Sequence, residues 1–314
     1  MTPVRIARLL GSALALSGLA ACAQLQPPQA SPAARTPPPQ AAQAPKAPQA
    51  AQAPQASSAP QASSSPQAQS TSPAQMTPPA PAPAFEPSVG QAGKDVVWVP
   101  TPQVLVDKML DMAKVTPNDY VIDLGSGDGR TVMTAVRRGA RALGIEYNPD
   151  MVALAQRNAA RDGLTGRAEF MKADLFQADL SRATVITMFL LPDINVRLRP
   201  TLLKLKPGTR IVSNTFTMGD WTPDETATLD AAAGCSSSWC TALLWIVPAR
   251  VEGTHQVSQG ELRLTQTYQA LSGTLRRDGR VIPVSGKVLG EDVLLDAGGQ
   301  ALRGRVQGGR LELR

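Results

Sequence analysis

Histidine and cysteine are scarce in this sequence of 314 residues, which contains one histidine and three cysteines. The histidine, His255, has no cysteine near it in the sequence. Protein sites for zinc are built from clusters of cysteine, histidine and carboxylate side chains. We therefore predict no metal site.

Two of the cysteines, Cys235 and Cys240, are separated by Ser-Ser-Ser-Trp. An even pair of this kind is expected to form a short-loop disulfide in an oxidising compartment. Two free thiols are the alternative.

The sequence also lacks a concentrated positive charge, although its net charge is +6. Residues 89–249 carry 17 basic and 17 acidic side chains, and residues 250–314 carry 10 basic and 7 acidic ones. No basic stripe with interleaved aromatic residues is present. Sequence-independent binding to nucleic acids depends on such a stripe, so we expect no nucleic-acid partner.

The apolar run near the N-terminus, Leu9–Ala21, is too short to cross a bilayer as a helix. Two arginines precede it, as in a secretory signal peptide. The run leads into Leu-Ala-Ala-Cys, which resembles a bacterial lipoprotein box and implies a signal segment over residues 1–22 with a lipid on Cys22. This predicts a membrane-anchored lipoprotein of the cell envelope that faces the periplasm, and Ala23 in place of aspartate favours the outer membrane. The alternatives are an ordinary signal peptide, or a start at Met76 that would leave the protein in the cytoplasm.

Residues 23–88 consist mostly of alanine, proline, glutamine and serine, and the tetrapeptide Ala-Pro-Gln-Ala recurs in them. Such a composition buries too little apolar surface to fold. We predict a disordered linker that tethers the following domain.

The most informative segment is Val121–Arg130, an apolar run that contains Asp123 and gives way to glycines at 125, 127 and 129. We predict a buried strand, a glycine loop and the start of a helix. Glycines permit positive φ and allow the backbone to approach a ligand closely. A second apolar run ends in Glu146, which suits a ribose diol. Spacing alone leaves a dinucleotide site of an oxidoreductase open, although Arg130 stands where that motif has its third glycine.

Apolar strands alternate with amphipathic helices over residues 89–249. We expect the first helix to begin with Thr101 as its capping hydroxyl and Pro102 in its first turn, and the fourth strand to span Ala183–Leu190. This alternation predicts an α/β fold with a doubly wound, mostly parallel sheet.

The pattern changes after Pro248. Residues 250–314 contain short alternating runs separated by glycine-containing turns, which predict a small antiparallel β-meander domain. About 60 residues make only a modest core, so we expect this domain to pack against the preceding one. A structural cap is the simplest role for it, and substrate recognition or envelope binding are the alternatives.

Three segments in order, Val121–Arg130, Gly144–Glu146 and Lys172–Phe176, resemble the first motifs of class I S-adenosylmethionine (SAM)-dependent methyltransferases. The segments Val99–Pro102 and Leu205–Gly208 resemble the branch near the bacterial and mitochondrial protein-lysine methyltransferases. The resemblance implies a seven-strand sheet whose late strand is antiparallel, an enzyme that transfers a methyl group, and SAM as its cofactor. It leaves the methyl acceptor unknown and favours a protein lysine amine.

The resemblance further implies a set of cofactor-binding residues at successive strand ends. These are Asp123, Gly125, Gly127, Gly129, Glu146, Asp174 and Leu175. Asp123 and the glycine backbone would hold the methionine part of SAM. Glu146 would accept the ribose hydroxyls, and Asp174 would accept the adenine amine.

The acceptor pocket is less well marked. The run Met188–Pro192 lacks the Asn/Asp-Pro-Pro pattern of enzymes that methylate base amines, and Phe189 and Pro192 suit an apolar channel for a lysine side chain. After the fifth strand, Asn214, Asp220 and Trp221 are candidates for lining the pocket.

No catalytic residue can be named, because methyl transfer from a sulfonium mainly requires positioning and exclusion of water. A non-catalytic envelope module that retains the fold is the alternative function, since SAM is made in the cytoplasm. Retention of three acids at the expected cofactor positions argues against it.

Overall fold

The computed structural model describes residues 85–314. The predicted signal segment with Cys22, and the predicted linker apart from residues 85–88, lie outside the described residues.

Residues 85–249 contain four helices and seven strands. The helices are α1 (Gln103–Met112), α2 (Arg130–Arg137), α3 (Pro149–Arg161) and α4 (Pro192–Leu202). The strands are β1 (Tyr120–Leu124), β2 (Arg141–Glu146), β3 (Ala168–Lys172), β4 (Val185–Met188), β5 (Arg210–Asn214), β6 (Glu225–Thr228) and β7 (Thr241–Ile246).

These seven strands form one sheet in the order β3-β2-β1-β4-β5-β7-β6. β1 to β5 pair in parallel, and β7 is antiparallel to both of its neighbours. The predicted mostly parallel sheet with a late antiparallel strand is confirmed. The chain leaves β1 toward β2 on one side and later returns to β4 on the other, and ligands bind outside the carboxyl ends of the strands at such a switch point.

Both faces of the sheet are covered by helices. Val121 and Val185 belong to one apolar layer, which includes the buried side chains of α1 and α2. Their neighbours Ile122 and Ile186 point to the opposite layer, which includes α4. Successive residues of a strand face opposite sides of the sheet, so an uninterrupted apolar run serves both layers.

Two local predictions were wrong. Pro102 is the residue that caps α1, with no side-chain hydrogen bond, and the Thr101 hydroxyl instead accepts a hydrogen bond from the Asn214 amide at 3.3 Å. β4 is shorter than the predicted strand over Ala183–Leu190, because the chain leaves the sheet after Met188 and α4 begins at Pro192.

The remaining strands form a second sheet. They are β8 (Gly253–Val257), β9 (Gly260–Thr267), β10 (Ala270–Arg277), β11 (Arg280–Leu289), β12 (Asp292–Ala297), β13 (Gln300–Gln307) and β14 (Arg310–Leu313). Each strand is antiparallel to the next, which confirms the predicted meander.

The second sheet contacts the first part of the chain through the turn between β9 and β10. The Gln269 side chain accepts a hydrogen bond from the Trp221 indole at 2.9 Å and donates one to the Thr222 carbonyl at 2.8 Å. The ring of Tyr268 stacks on that of Trp221, with centroids 5.8 Å apart. Within residues 85–314, no helix combines the length and apolar character needed to cross a membrane.

Candidate active site

A cavity of about 550 Å³ lies at the carboxyl ends of the central strands, where the strand order changes direction. Its wall includes the glycine loop after β1, the end of β2, the segment after β4 and residues 91–101, which we call the strap. Its volume is in the range of small-molecule sites, about 300–1,000 Å³. No cluster of three or more metal-ligating side chains occurs among residues 85–314.

All three glycines of the loop have positive φ, +76° at Gly125, +54° at Gly127 and +84° at Gly129. Gly125 and Gly127 line the cavity. A Cβ at Gly127 would lie 2.6 Å from the Trp98 indole nitrogen, so a side chain there would displace the indole that the strap places over the loop.

Gly129 is the exception in the loop, since it caps α2 and does not line the cavity. A Cβ at Gly129 would lie 2.7 Å from the ring of Phe170 in β3. This glycine therefore allows α2 to pack closely on the sheet.

Asp123 is the only acid in β1, and 6% of its surface is exposed. It lies opposite Gly144 on one neighbouring strand and Thr187 on the other, and the Thr187 hydroxyl donates a hydrogen bond of 2.7 Å to its carboxylate. Burial raises the pKa of Asp123 to about 7, against the effect of the Thr187 bond and with a further contribution from the charge of Glu146. Asp123 is thus a buried acid at the cavity wall whose ionised form is favoured by a cationic ligand.

Glu146 ends β2 and lines the cavity. One carboxylate oxygen accepts the amide hydrogen of Gly127 at 3.0 Å, and the other accepts that of Asn148 at 3.0 Å. A carboxylate has about four lone-pair sites. Each oxygen of Glu146 therefore keeps one site for a further donor, such as one hydroxyl of a diol.

Asp174 and Leu175 line the cavity after β3. The carboxylate of Asp174 accepts hydrogen bonds from the Lys94 ammonium at 2.7 Å and from the Phe176 amide at 2.9 Å. The Lys94 bond is the main cause of the lowered pKa of Asp174. Lys94 and the Phe176 amide each occupy one of the two carboxylate oxygens, so a ligand amine would have to share the carboxylate with them.

The sequence did not predict that the strap forms part of the cavity wall. It is held as a small hairpin in which the Trp98 amide donates to the Gln91 carbonyl and the Gly93 amide donates to the Val96 carbonyl. Lys94 lies over the ring of Tyr147 at 4.6 Å as well as on Asp174. Trp98, a tryptophan outside every periodic run, was the available signal, but its distance of 29 residues from Gly127 concealed the contact.

Not all residues that the sequence predicts for the acceptor pocket lie at the cavity. Phe189 lines the cavity, whereas Pro192, Asn214, Asp220 and Trp221 do not. Pro192 forms the first turn of α4. The Asn214 side chain is buried against Thr101, and Trp221 is buried between Trp245 and Tyr268.

Asp220 lies at the surface, where it pairs with Arg199 and accepts a hydrogen bond from the Tyr268 hydroxyl at 3.0 Å. The wall of the cavity beside Phe189 contains two other aromatic residues, Phe216 and Trp239. Cys235 and Cys240 are joined in a disulfide, which closes the loop that carries Trp239.

The cavity fits a nucleoside-containing ligand with a cationic end. It combines a buried acid at Asp123 with two free acceptor sites on Glu146. Ser126 also lines it, but its hydroxyl has almost no exposed surface and, among the described residues, is one of two buried side-chain atoms without a hydrogen-bond partner.

Comparison with known proteins supports this assignment. The ANTKMT methyltransferase domain matches residues 123–225. A protein-lysine N-methyltransferase of Saccharolobus islandicus is 47% identical over 133 residues, which are 41% of this chain and 83% of that protein. The adenine nucleotide translocase lysine N-methyltransferase of Mus musculus is 36% identical over 120 residues, 38% of this chain and 52% of that protein.

Among solved structures, an RNA methyltransferase from Salinibacter ruber in complex with S-adenosyl-L-homocysteine (SAH) is 46% identical. The match covers 49% of this chain and 96% of that one, with a TM-score of 0.45.

The strand order and the cavity at its switch point define a class I SAM-dependent methyltransferase. The chain belongs to this family, in the group that contains the protein-lysine N-methyltransferases, and SAM is its cofactor.

Proposed function

We propose that the protein transfers the methyl group of SAM to the ε-amine of a lysine in a protein. The observation that carries this proposal is the 47% identity to a protein-lysine N-methyltransferase, 83% of whose length the chain covers. The mouse relative named for the adenine nucleotide translocase supports the same acceptor chemistry, but the chain spans only about half of its length.

Bound SAM would supply a methyl group on a sulfonium. The neutral form of the lysine amine would form the new carbon–nitrogen bond while the methyl–sulfur bond breaks, with SAH as the leaving group and the amine proton lost to solvent. The task of the chain is therefore to hold both reactants in line and to exclude water. We assign the methionine part to Asp123 and to the backbone of Gly125 and Gly127. Asp123 supplies a carboxylate for the amino group, and the two glycines leave the loop backbone open to the ligand.

We assign the ribose hydroxyls to the two remaining acceptor sites of Glu146. Asp174 and Leu175 lie where the adenine would be held, with Lys94 closing the strap over them. Because Lys94 already contacts Asp174, the adenine amine has to share that carboxylate with it. Gly129 acts on the cofactor only through the packing of α2.

The acceptor class can be tested with deuterated-methyl SAM, the purified protein and two separate extracts of its native cells, one of proteins and one of RNA. We expect labelled methyl groups on lysine residues and none on RNA. A Glu146→Ala variant serves as the control, since it removes the ribose acceptors and should abolish labelling. Label in RNA with none on lysine would overturn the proposed acceptor.

We also propose that the enzyme is a lipoprotein of the cell envelope, anchored through Cys22 and facing the periplasm. The arginine-flanked apolar run and the lipoprotein-box tetrapeptide support this, as does a cysteine pair in a disulfide. Mass spectrometry of the native N-terminus should find an acylated Cys22. An N-terminus at Met76 would contradict the proposal.

A further inference from the structure

Three partly exposed aromatic rings form a triangle on one wall of the cavity. The ring centroids of Phe189 and Phe216 are 6.0 Å apart, those of Phe189 and Trp239 are 6.0 Å apart, and those of Phe216 and Trp239 are 5.3 Å apart. All three residues line the same cavity as Asp123 and Glu146. Aromatic residues are few in this chain, so their grouping at this wall is not a consequence of composition.

Each ring is placed by a different element at the carboxyl end of the sheet. Phe189 follows β4 directly. Phe216 follows β5 after Thr215, which has a φ of +60°, and the buried amide of Asn195 donates to the carbonyls of Phe216 and Thr217 at 3.1 and 3.2 Å. These bonds fix the turn that presents Phe216.

Trp239 comes from the loop between β6 and β7, which has no regular secondary structure of its own around the ring. The loop is closed by the Cys235–Cys240 disulfide, and the Trp239 amide donates to the Ser237 hydroxyl at 2.8 Å. At its two ends the Cys235 amide donates to the Asp230 carbonyl, and the Leu229 amide donates to the Cys240 carbonyl. The disulfide thus holds the third ring against the other two.

The faces of aromatic rings attract cations, and groups of such rings bind methylated ammonium ions. The hydrocarbon stem of a lysine packs on the same surfaces. A triangle of rings beside a methyl-donor cavity therefore suits both the entering lysine side chain and its methylated product.

We propose that Phe189, Phe216 and Trp239 form the binding wall for the alkylammonium group of the acceptor lysine, with Trp239 positioned by the Cys235–Cys240 disulfide. This rests on the proposed lysine acceptor and adds the residues that recognise it. Under this proposal, binding of the acceptor depends on the Cys235–Cys240 disulfide, whereas binding of the cofactor does not.

The wall can be tested by equilibrium binding in the presence of saturating SAH, so that no turnover is required. The probes are a short peptide that contains trimethyllysine and the same peptide with a neutral tert-butyl group in place of the trimethylammonium. We expect the wild-type protein to prefer the charged peptide by about 2- to 30-fold, the range that cation–π contacts give.

Trp239→Ala leaves Phe189 and Phe216 in place and should therefore lower that preference clearly without abolishing it, whereas Trp239→Phe should keep more of it. Loss of the disulfide should weaken the same preference. We expect the affinity ratio between the charged and the neutral peptide to fall to at most about half of the wild-type ratio in the double variant Cys235→Ser/Cys240→Ser and in wild-type protein treated with a reductant. SAH affinity, measured separately, should change less than about twofold in all of these. Ser238→Ala, an exposed position of the same loop, is the matched control and should behave as wild type.

The proposal is overturned if the wild-type protein binds both peptides equally, or if Trp239→Ala weakens both peptides and SAH to the same extent. The latter result would mean that Trp239 only supports the fold of the site. Failure of lysine labelling by SAM would refute the proposed acceptor, whereas a lost charge preference with intact lysine labelling would refute only the aromatic wall.

Discussion

At the scale of single residues, the proposed contact of Asp123 with the cofactor predicts that SAM binding depends on pH. Its pKa is raised to about 7 by burial, and we expect only its ionised form to pair with the amino group of the cofactor. About a tenth of such a group is ionised at pH 6 and about nine tenths at pH 8. Because the amino group of the cofactor itself loses its proton near pH 8, the affinity for SAM should rise about fivefold between pH 6 and about 7.5 and no further above it, as measured by calorimetric titration. Asp123→Asn should bind SAM more weakly and with a flat pH profile, and an equally steep profile in that variant would contradict the assignment.

For the ligand-free protein, the raised pKa of Asp123 predicts the opposite trend: the stability of the fold decreases as the pH rises. A carboxyl group whose pKa is raised on folding stabilises the fold fully below its unfolded value, here 3.8, and this contribution is lost as the pH rises through about 7. Asp123→Asn should consequently raise the melting temperature at pH 8 by at least about 2 °C, the effect of about 1 kcal/mol in a domain of this size. At pH 4 the variant and the wild type should melt alike. Thermal scans without SAM at the two pH values provide the measurement.

Gly127 tests the contact between the glycine loop and the strap. Alanine at this position meets the Trp98 indole at 2.6 Å, whereas Gly163 has a similar φ of +68° and nothing within 4 Å of its Cβ. The two substitutions share a backbone cost of about 1 kcal/mol, so the difference between them isolates the clash. We expect Gly127→Ala to weaken SAM binding at least about tenfold and Gly163→Ala to leave it unchanged. Equal SAM affinities in the two variants would show that Trp98 can move away from the new methyl group without weakening the site.

At the scale of secondary-structure elements, Asp119 and Arg210 join the starts of β1 and β5 to the end of α1. Arg210 pairs with the buried carboxylate of Asp119 and donates to the Ala113 carbonyl at 2.7 Å. Burial raises the pKa of Asp119, but the bonds from Thr184, Thr116 and Arg210 together lower it below its usual value. The pair therefore stabilises the fold above pH 4, and this contribution is lost as the pH falls below that value.

Arg210→Met should cost about 1–3 kcal/mol of unfolding free energy at pH 7, because it leaves a buried carboxylate with one partner fewer. Arg263→Met removes an exposed ion pair with Glu261 and should cost less than about 1 kcal/mol. Urea unfolding of both variants makes the comparison. If Arg210→Met lowers the unfolding free energy no more than Arg263→Met does, the Asp119–Arg210 pair does not stabilise the fold.

The elements also show what the sequence could predict and where it could not. The glycine loop, Asp123 and Glu146 were predictable because strand, loop and helix follow one another locally, and parallel strand ends must meet at one edge. Trp221 was a plausible pocket residue by the same logic, but its ring turns away to pack on Trp245 and on Tyr268, a residue 47 positions later in the chain. The direction in which a side chain points after the end of a strand depends on such distant partners. For the same reason the strap and Trp239 could not be placed from the sequence.

At the scale of the whole molecule, the second sheet is bound to the methyltransferase part through Tyr268 and Gln269. Tyr268 covers the fully buried Trp221, receives Arg199 over its ring at 5.4 Å and donates to Asp220. None of these residues lines the cofactor cavity. The second sheet therefore covers a tryptophan on the side of the first sheet near α4, which supports a structural role for it.

Tyr268→Ala should expose Trp221 and destabilise the protein by about 2–4 kcal/mol, the range for truncation of a packed aromatic residue that is itself partly exposed. The SAH affinity should change less than about twofold at temperatures where the variant is folded. Tyr268→Phe keeps the stacking and loses only the bond to Asp220, so it should cost less than about 1 kcal/mol. Val281→Ala, at an exposed position of the second sheet, is the control. If Tyr268→Ala instead weakens SAH binding while stability is retained, the second sheet acts on the site itself and its role is not that of a cap.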